Sequence, residues 1–414
     1  MRQAAEPGAP GAARFLRGSA PFIVTAVAVF LGWQIVREMA IQRLPPPLAV
    51  RVAPGGASTL SRAAESEFTA GRFDNAEYLA RLSLAKAPFS VRTLRVIGLV
   101  EARKGQTAQA DNLLTLAGNW SLRDDPAHAW LFEHRLRRGQ YGSAFAHADT
   151  LARRREDMWP KLFELFAVAG TEDPRALPVL VALVAKKPPW RQAFLNGLID
   201  APTPRNQLLL ATIATSLQQT KGPLNNDELV QVYQSLLRSR QEELLVVVRA
   251  RIGRPATSLL LVNGGFSPLS GPAPFEWTLT PSVGIVPDVT TDPTRPSESA
   301  LRVEYNGFSR GEAAGQLLQL TPGRYRLTGR IRAEAGAVSQ RLQWSVKCYP
   351  TNQILSQTPT DGTGGGPDWR PLGLVFEVPP QGCRMQRLTL DAVPTDTRST
   401  IVGWYDKFAI TRVG

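Results

Sequence analysis

The chain has 414 residues, a net charge of +13 and an apolar fraction of 43%. That length exceeds what one hydrophobic core serves, and that apolar content excludes wholesale disorder. Only eight of the 48 basic residues are lysine, and none fall in a dense run, so the charge marks no nucleic-acid segment.

Residues 1–19 are rich in Gly, Ala and Pro with Arg2, Arg14 and Arg17, and read as a disordered basic tail. From Ala20 to Val36 no charge interrupts the chain, and Met39, Ala40 and Ile41 lengthen the apolar stretch. Residues 20–41 therefore read as a transmembrane signal anchor in contact with the lipid bilayer. A cleaved signal peptide needs a small-x-small site after the apolar core, and Arg-Glu-Met-Ala-Ile-Gln-Arg follows instead. Arginines flank both ends of the span, so orientation rests on the default of a cytoplasmic N-terminus for a short leader. Residues 42–57 read as a linker. Pro45-Pro46-Pro47 is expected to be extended, and Pro54-Gly55-Gly56 flexible, lifting the next domain off the bilayer.

A helical repeat is expected over 58–253. Gly71, Gly105 and Gly139 recur every 34 residues, followed at a fixed offset by Phe73, Thr107 and Tyr141, then by Ala76, Ala110 and Ala144. Such a period belongs to stacked helical hairpins, in which glycine makes the tight turn and small residues let helices approach. These residues resemble tetratricopeptide repeats, degenerate in that Thr107 replaces an aromatic and only the first unit keeps a closing proline, Pro88. The resemblance implies a concave groove lined by the first helices. In that register Arg92, Arg95, Arg103 and Arg137 face the groove and form a clamp for the carboxylates of a protein partner or an acidic polymer. Past Trp159-Pro160 the period fades. Helices are expected near 162–169, 175–185, 190–198, 205–218, 226–236 and 241–251, extending the same α-solenoid.

From 258 the character changes to short β-like segments: 258–262, 275–280, 300–305, 315–320, 323–334, 341–349, 372–378, 384–393 and 401–411. Their spacing predicts an antiparallel sandwich over 258–414. The order Asn263-Gly264-Gly265-Phe266, Phe275-Glu276-Trp277, Ser299-Ala300-Leu301, Pro322-Gly323-Arg324-Tyr325 and Trp404-Tyr405-Asp406-Lys407-Phe408 resembles the jelly roll of carbohydrate-binding modules and galactose-binding-like domains. The resemblance implies that fold, and polysaccharide as a second partner stacked on exposed aromatic rings. Strand alternation sends Trp344, Trp404 and Tyr305 to the core and leaves Tyr349, Trp369 and Tyr405 as the glycan-facing candidates. Some modules of this shape carry calcium near the last strand. Asp406 sits at that place, but the acidic partner is absent after Phe266, so no metal is assigned.

The only two cysteines, Cys348 and Cys383, both fall in this region, and outside the cytoplasm they read as a disulfide. There is no CxxC, HExxH, phosphate-binding GxxxxGK[ST] or GxSxG, and no motif places a carboxylate pair. No catalytic residue and no cofactor is assigned. The fold class expected is multidomain α plus β: a transmembrane helix, an α-solenoid of helical hairpins and a C-terminal antiparallel β-sandwich. The function expected is a non-catalytic scaffold at the bacterial inner membrane, facing the periplasm, in cell-envelope or exopolysaccharide assembly. The alternatives are a glycan-active enzyme or a cytoplasm-facing adaptor.

Overall fold

The structure, a computed structural model, describes residues 12–252, 260–335, 338–359, 366–396 and 399–413. Of the tail expected over 1–19, residues 1–11 lie outside the described residues, and 12–19 belong to helix α1 (Ala12–Arg43). Ala12, Ala13, Phe15 and Leu16 are adequate helix formers, so the helix starts before the apolar run. Its stretch Val24–Arg43 is long and apolar enough to cross a membrane. The linker is not extended. Pro46 and Pro47 open a short helix, α2 (Pro46–Val52), at positions where a missing N–H costs nothing and the fixed φ suits the first turn.

Compactness divides the chain between Met158 and Trp159. In the first unit, α3 (Ala57–Thr69) pairs with α4 (Phe73–Lys86), α5 (Val91–Arg103) with α6 (Thr107–Trp120), and α7 (Asp125–Arg137) with α8 (Tyr141–Ala152). The glycines at the turns have φ of +78°, +80° and +68°. Each turn repeats one hydrogen-bond pattern: Gly71 N–H to Phe68 O with Arg72 N–H to Glu67 O, then Gly105 to Ala102 with Gln106 to Glu101, then Gly139 to Leu136 with Gln140 to Arg135. A left-handed residue there closes the last orphan carbonyls of the preceding helix. Ala76, Ala110 and Ala144 are fully buried where the helices of a hairpin meet.

The second unit begins with six helices: α9 (Trp159–Glu172), α10 (Ala176–Ala185), α11 (Arg191–Asp200), α12 (Pro204–Leu217), α13 (Asn226–Arg238) and α14 (Glu242–Ile252). Helix α12 touches α9, α10, α11, α13 and α14. Helix α12 accordingly buries residues on several sides, among them Gln207, Leu210, Ala211, Ile213, Ala214 and Leu217. A bidentate pair, Arg191 to Glu228 at 2.8 Å, is buried beside it, and Asn225 with Glu228 forms a capping box.

The same unit ends in two five-stranded antiparallel sheets. The strands are β1 (Thr278–Leu279), β2 (Ile285–Asp292), β3 (Arg295–Tyr305), β4 (Gly311–Leu318), β5 (Gly323–Ala335), β6 (Leu342–Tyr349), β7 (Ile354–Gln357), β8 (Arg370–Val378), β9 (Met385–Ala392) and β10 (Ile401–Val413). One sheet runs β1-β4-β9-β6-β7 and the other β2-β3-β10-β5-β8. Leu301, Val303, Leu327, Trp344, Leu388 and Phe408 share the core between them. Two strands absent from the expected set, β2 and β7, are sheet edges. Pro287 within β2 has no partner to lose on its open side.

Three of the quoted motifs meet at one point. Phe408 N–H donates to Gly264 O at 2.7 Å, and a Cβ on Gly264 would stand 1.8 Å from Phe408 O, so only glycine fits. Phe266 stacks on Trp277 at 4.8 Å, and Trp277 Nε1 donates to Asn263 O at 2.9 Å. The helices grip the sandwich through Phe275, which meets Tyr233 of α13 edge-on at 5.2 Å and lies 3.8 Å under the guanidinium of Arg249 from α14.

Candidate functional site

A β-bulge decides which aromatic rings are available. Asp406 pairs with Arg330 but Ala409 with Thr328, so β10 carries one extra residue against β5, and Lys407 takes φ +54°. One extra residue exchanges the faces of the strand. Tyr405 and Phe408, three apart, therefore both point into the core. Trp404 points out, into a separate cluster with Ala300, Val402 and Trp369.

Two sequence assignments are reversed by this. Tyr405, expected as a glycan-facing ring, is fully buried and meets Trp344 edge-on at 5.4 Å. Burial pushes its phenol far above the ordinary range, and its hydroxyl has no hydrogen-bond partner among the described residues. Trp404, expected in the core, lies instead beneath the outer face of the second sheet.

That outer face is built by cross-strand neighbours. Trp404 stands opposite Arg332, and Asp406 opposite Arg330. Trp369, just ahead of β8, lies half-buried over them, its ring centroid 4.6 Å from the Arg330 guanidinium and 5.9 Å from those of Arg295 and Arg332. Its Nε1 donates to Asp292 at 2.9 Å, and Trp404 Nε1 donates to Glu334 at 2.6 Å. Arg330 bridges Asp406 and Glu298, and Glu298 also receives Arg295 and Lys407, each at 3.3 Å.

Four basic side chains (Arg295, Arg330, Arg332, Lys407) thus meet four acidic ones (Asp292, Glu298, Glu334, Asp406). Burial works against the charge of Asp292, but hydrogen bonds from Thr294 and Trp369 and the nearby Arg332 outweigh it and hold its carboxyl below the usual range. Burial, with Glu298 alongside, raises Asp406. Arg332 is 6% exposed, and its Nε has no hydrogen-bond partner among the described residues. The assembly offers the half-exposed indole of Trp369, backed by the buried Trp404, and oriented donors and acceptors around it. Such a surface suits a flat polyhydroxylated ligand, whose C–H faces lie on rings and whose hydroxyls take planar polar groups.

The other expected site residues fall elsewhere. Tyr349 is half-buried at the end of β6, its phenol raised chiefly by burial and then by Glu242. Cys348 and Cys383 are joined in a disulfide, with Cα atoms 5.1 Å apart. The four arginines of the expected clamp do not converge as free cations. Arg95 is buried and bridges Glu65 of α3 to Asp124, the N-cap of α7, at 3.0 Å from the latter. Arg92 pairs with Glu65 at 3.0 Å and Arg137 with Glu133 at 2.6 Å. Arg103 lies 5.7 Å from the Phe73 ring. The carboxylates that meet Arg92 and Arg95 come from the neighbouring hairpins, and the one that meets Arg137 from its own helix.

Elsewhere, a cleft of about 760 Å³ opens between α14 and residues 319–322 and 379–384. Its walls hold no aromatic ring, and the ion pair Glu243–Arg384 crosses it. His128 and His147 meet Nδ1 to Nδ1 at 2.9 Å, and among the described residues no three His, Cys, Asp or Glu side chains converge on a metal-sized site.

No family model matches the chain, and no curated protein matches it. Solved structures are similar to its C-terminal region. One is a carbohydrate-binding module in complex with beta-1,4-galactotriose, at 19% identity over 38% of this chain and 100% of that one, TM-score 0.27. Another is a family 16 carbohydrate-binding module, at 17% identity over 37% and 99%, TM-score 0.25. A third is a Stig cyclase from Fischerella sp. TAU, at 14% identity over 37% and 95%, TM-score 0.28.

Proposed function

We propose that this protein is a membrane-anchored, non-catalytic binding protein of the bacterial cell envelope. Its sandwich holds glycan across the Trp369 face in the periplasm, and its hairpins, of tetratricopeptide type, hold partner proteins. The observation that carries this reading is the Trp369–Arg330–Arg332–Trp404 cluster. Its charges balance, which favours a neutral sugar polymer over a uronate or a phosphate, and one buried guanidinium nitrogen still lacks an acceptor. The exposed rings of Phe89 and Trp120, 5.6 Å apart on the hairpin unit, support the protein-binding part. The disulfide supports an oxidising compartment.

The test is calorimetric titration of the full chain in detergent with neutral β-linked galactan and glucan oligosaccharides, beside an anionic uronate polymer. The reading expects neutral oligosaccharides to bind, and Trp369→Ala to weaken them by about tenfold or more with the fold intact. Absence of binding, or binding that Trp369→Ala leaves untouched, overturns it. Thiol labelling in whole cells checks the compartment: freely reactive Cys348 and Cys383 place the sandwich in the cytoplasm.

A further inference from the structure

From Val24 on, α1 is largely exposed until its end. Val27, Phe30, Trp33 and Val36 are all at least half exposed, and then Ile41 is 4% exposed. Packing begins there. Arg62 of α3 donates to Leu44 O at 2.8 Å and to Ile41 O at 3.2 Å, closing carbonyls that the helix end leaves open. The charge-free run ends at Val36, and Arg37, Glu38 and Arg43 fall on the last two turns of α1, about 10 Å of helix, so this end of the helix leaves the hydrocarbon core at the interface. Only Leu44 and Pro45 separate it from α2, a reach of about 7 Å.

Helix α2 turns Ala49, fully buried, toward the protein. Leu48 and Val52, one turn apart, are 47% and 57% exposed. The turn that follows is stiff, because Thr59 Oγ1 donates to Ala53 O at 2.9 Å and to Gly56 O at 2.7 Å. Arg37, Arg43 and Arg51 are exposed around this exit, against one acid, Glu38.

We infer that α2 is an interfacial seat on an anionic bilayer surface. Leu48 and Val52 enter the boundary between headgroups and acyl chains, and Arg43 and Arg51 pair with lipid phosphates. This rests on the reading of α1 as a membrane anchor and replaces the spacer expected over 42–57. Two arguments commit the face to lipid. It continues directly from the spanning segment, and its charge complements anionic headgroups. The Arg62 clasp then holds the first hairpin against the membrane instead of leaving it on a tether.

The test uses the full chain reconstituted in vesicles of phosphatidylcholine, with and without phosphatidylglycerol. An environment-sensitive fluorophore is placed through Leu48→Cys, Val27→Cys or Tyr78→Cys, all exposed positions, with the native cysteines kept in their disulfide. The expected result is a blue shift at 48 with quenching by shallow spin-labelled lipid, a blue shift at 27 with deep quenching, and water-like emission at 78. With Arg43→Gln and Arg51→Gln together, the shift at 48 in phosphatidylglycerol vesicles falls to its value in phosphatidylcholine. Water-like emission at 48 beside lipid-like emission at 27 overturns the seat and leaves the anchor standing. Water-like emission at both positions overturns the anchor itself.

Discussion

The guanidinium of Arg332 lies 4.9 Å from the ring centroid of Trp404, its partner across the β5–β10 ladder. The same guanidinium reaches Asp292 at 3.4 Å, and Asp292 holds the indole of Trp369. Ring, cation and carboxylate therefore form one connected object in which no member has an independent position.

Arg332→Met is expected to destabilise the sandwich by about 3 kcal/mol, because it leaves the buried Asp292 without its cation. Adding Trp404→Phe should then cost less than Trp404→Phe alone, since part of what that ring contributes is its contact with the cation, about 0.5–2 kcal/mol. Urea unfolding of the two single variants and the double variant measures this coupling. Strict additivity would mean the two side chains act separately.

Tyr405→Phe should raise stability by about 1 kcal/mol, since it removes a buried hydroxyl that makes no hydrogen bond. Glycan affinity should stay unchanged, because the ring lies on the core side of β10. A shift in thermal midpoint with superimposable titration curves is the expected outcome.

Arg95 and Arg92 both reach Glu65, but only Arg95 is buried and only Arg95 holds Asp124. Arg95→Met is expected to cost about 3–5 kcal/mol by stranding a buried carboxylate. Arg92→Met, on an exposed pair, should cost less than about 1 kcal/mol. Denaturant midpoints of the two variants make the comparison. Equal effects would mean that both residues are surface cations of the kind the groove reading requires.

His147 is held down to about 4 by burial, then by its neighbours His128 and Arg135, with Asp111 opposing. His128 is also lowered, chiefly by burial, with Asp124 and Asp125 opposing and Arg154 assisting. His128 Nε2 faces Ser121 O at 3.3 Å, which leaves its Nδ1 to accept from His147. Below about pH 6.5 an unfolded imidazole takes up a proton that folded His147 refuses until about pH 4. Stability of the hairpin unit should therefore fall as pH drops through that window. Circular dichroism melts between the two pH values should show this slope, and His147→Asn should flatten it.

The hairpins were legible because their cue is backbone geometry: a left-handed turn admits glycine, and glycine is visible in a sequence. The sandwich was legible where alternation is strong, the edge strands β1 and β8 included, and illegible at the edges β2 and β7. Those edges have one paired side each, so Pro287 and a run of polar residues are tolerated there. Arg95 was misread because a helical wheel shows which way a side chain points and not what waits for it. Glu65 and Asp124 lie 30 and 29 residues away. Trp404 was misread because counting by twos assumes an unbroken ladder, and nothing in Asp406-Lys407 announces an extra residue. The outward row Arg330, Arg332, Glu334 was countable on β5, and by itself would have pointed to this face.

The bulge at Lys407 has a consequence for how this part of the molecule opens. On β10, Trp404 of the outer cluster and Tyr405 of the core are adjacent links of one backbone. The amides near them should exchange with solvent only when the whole sandwich unfolds, because no smaller cooperative unit contains one without the other. The surface offered to a ligand is thus as slow to breathe as the deepest layer of the protein, and binding there meets a fixed template instead of selecting among loop shapes.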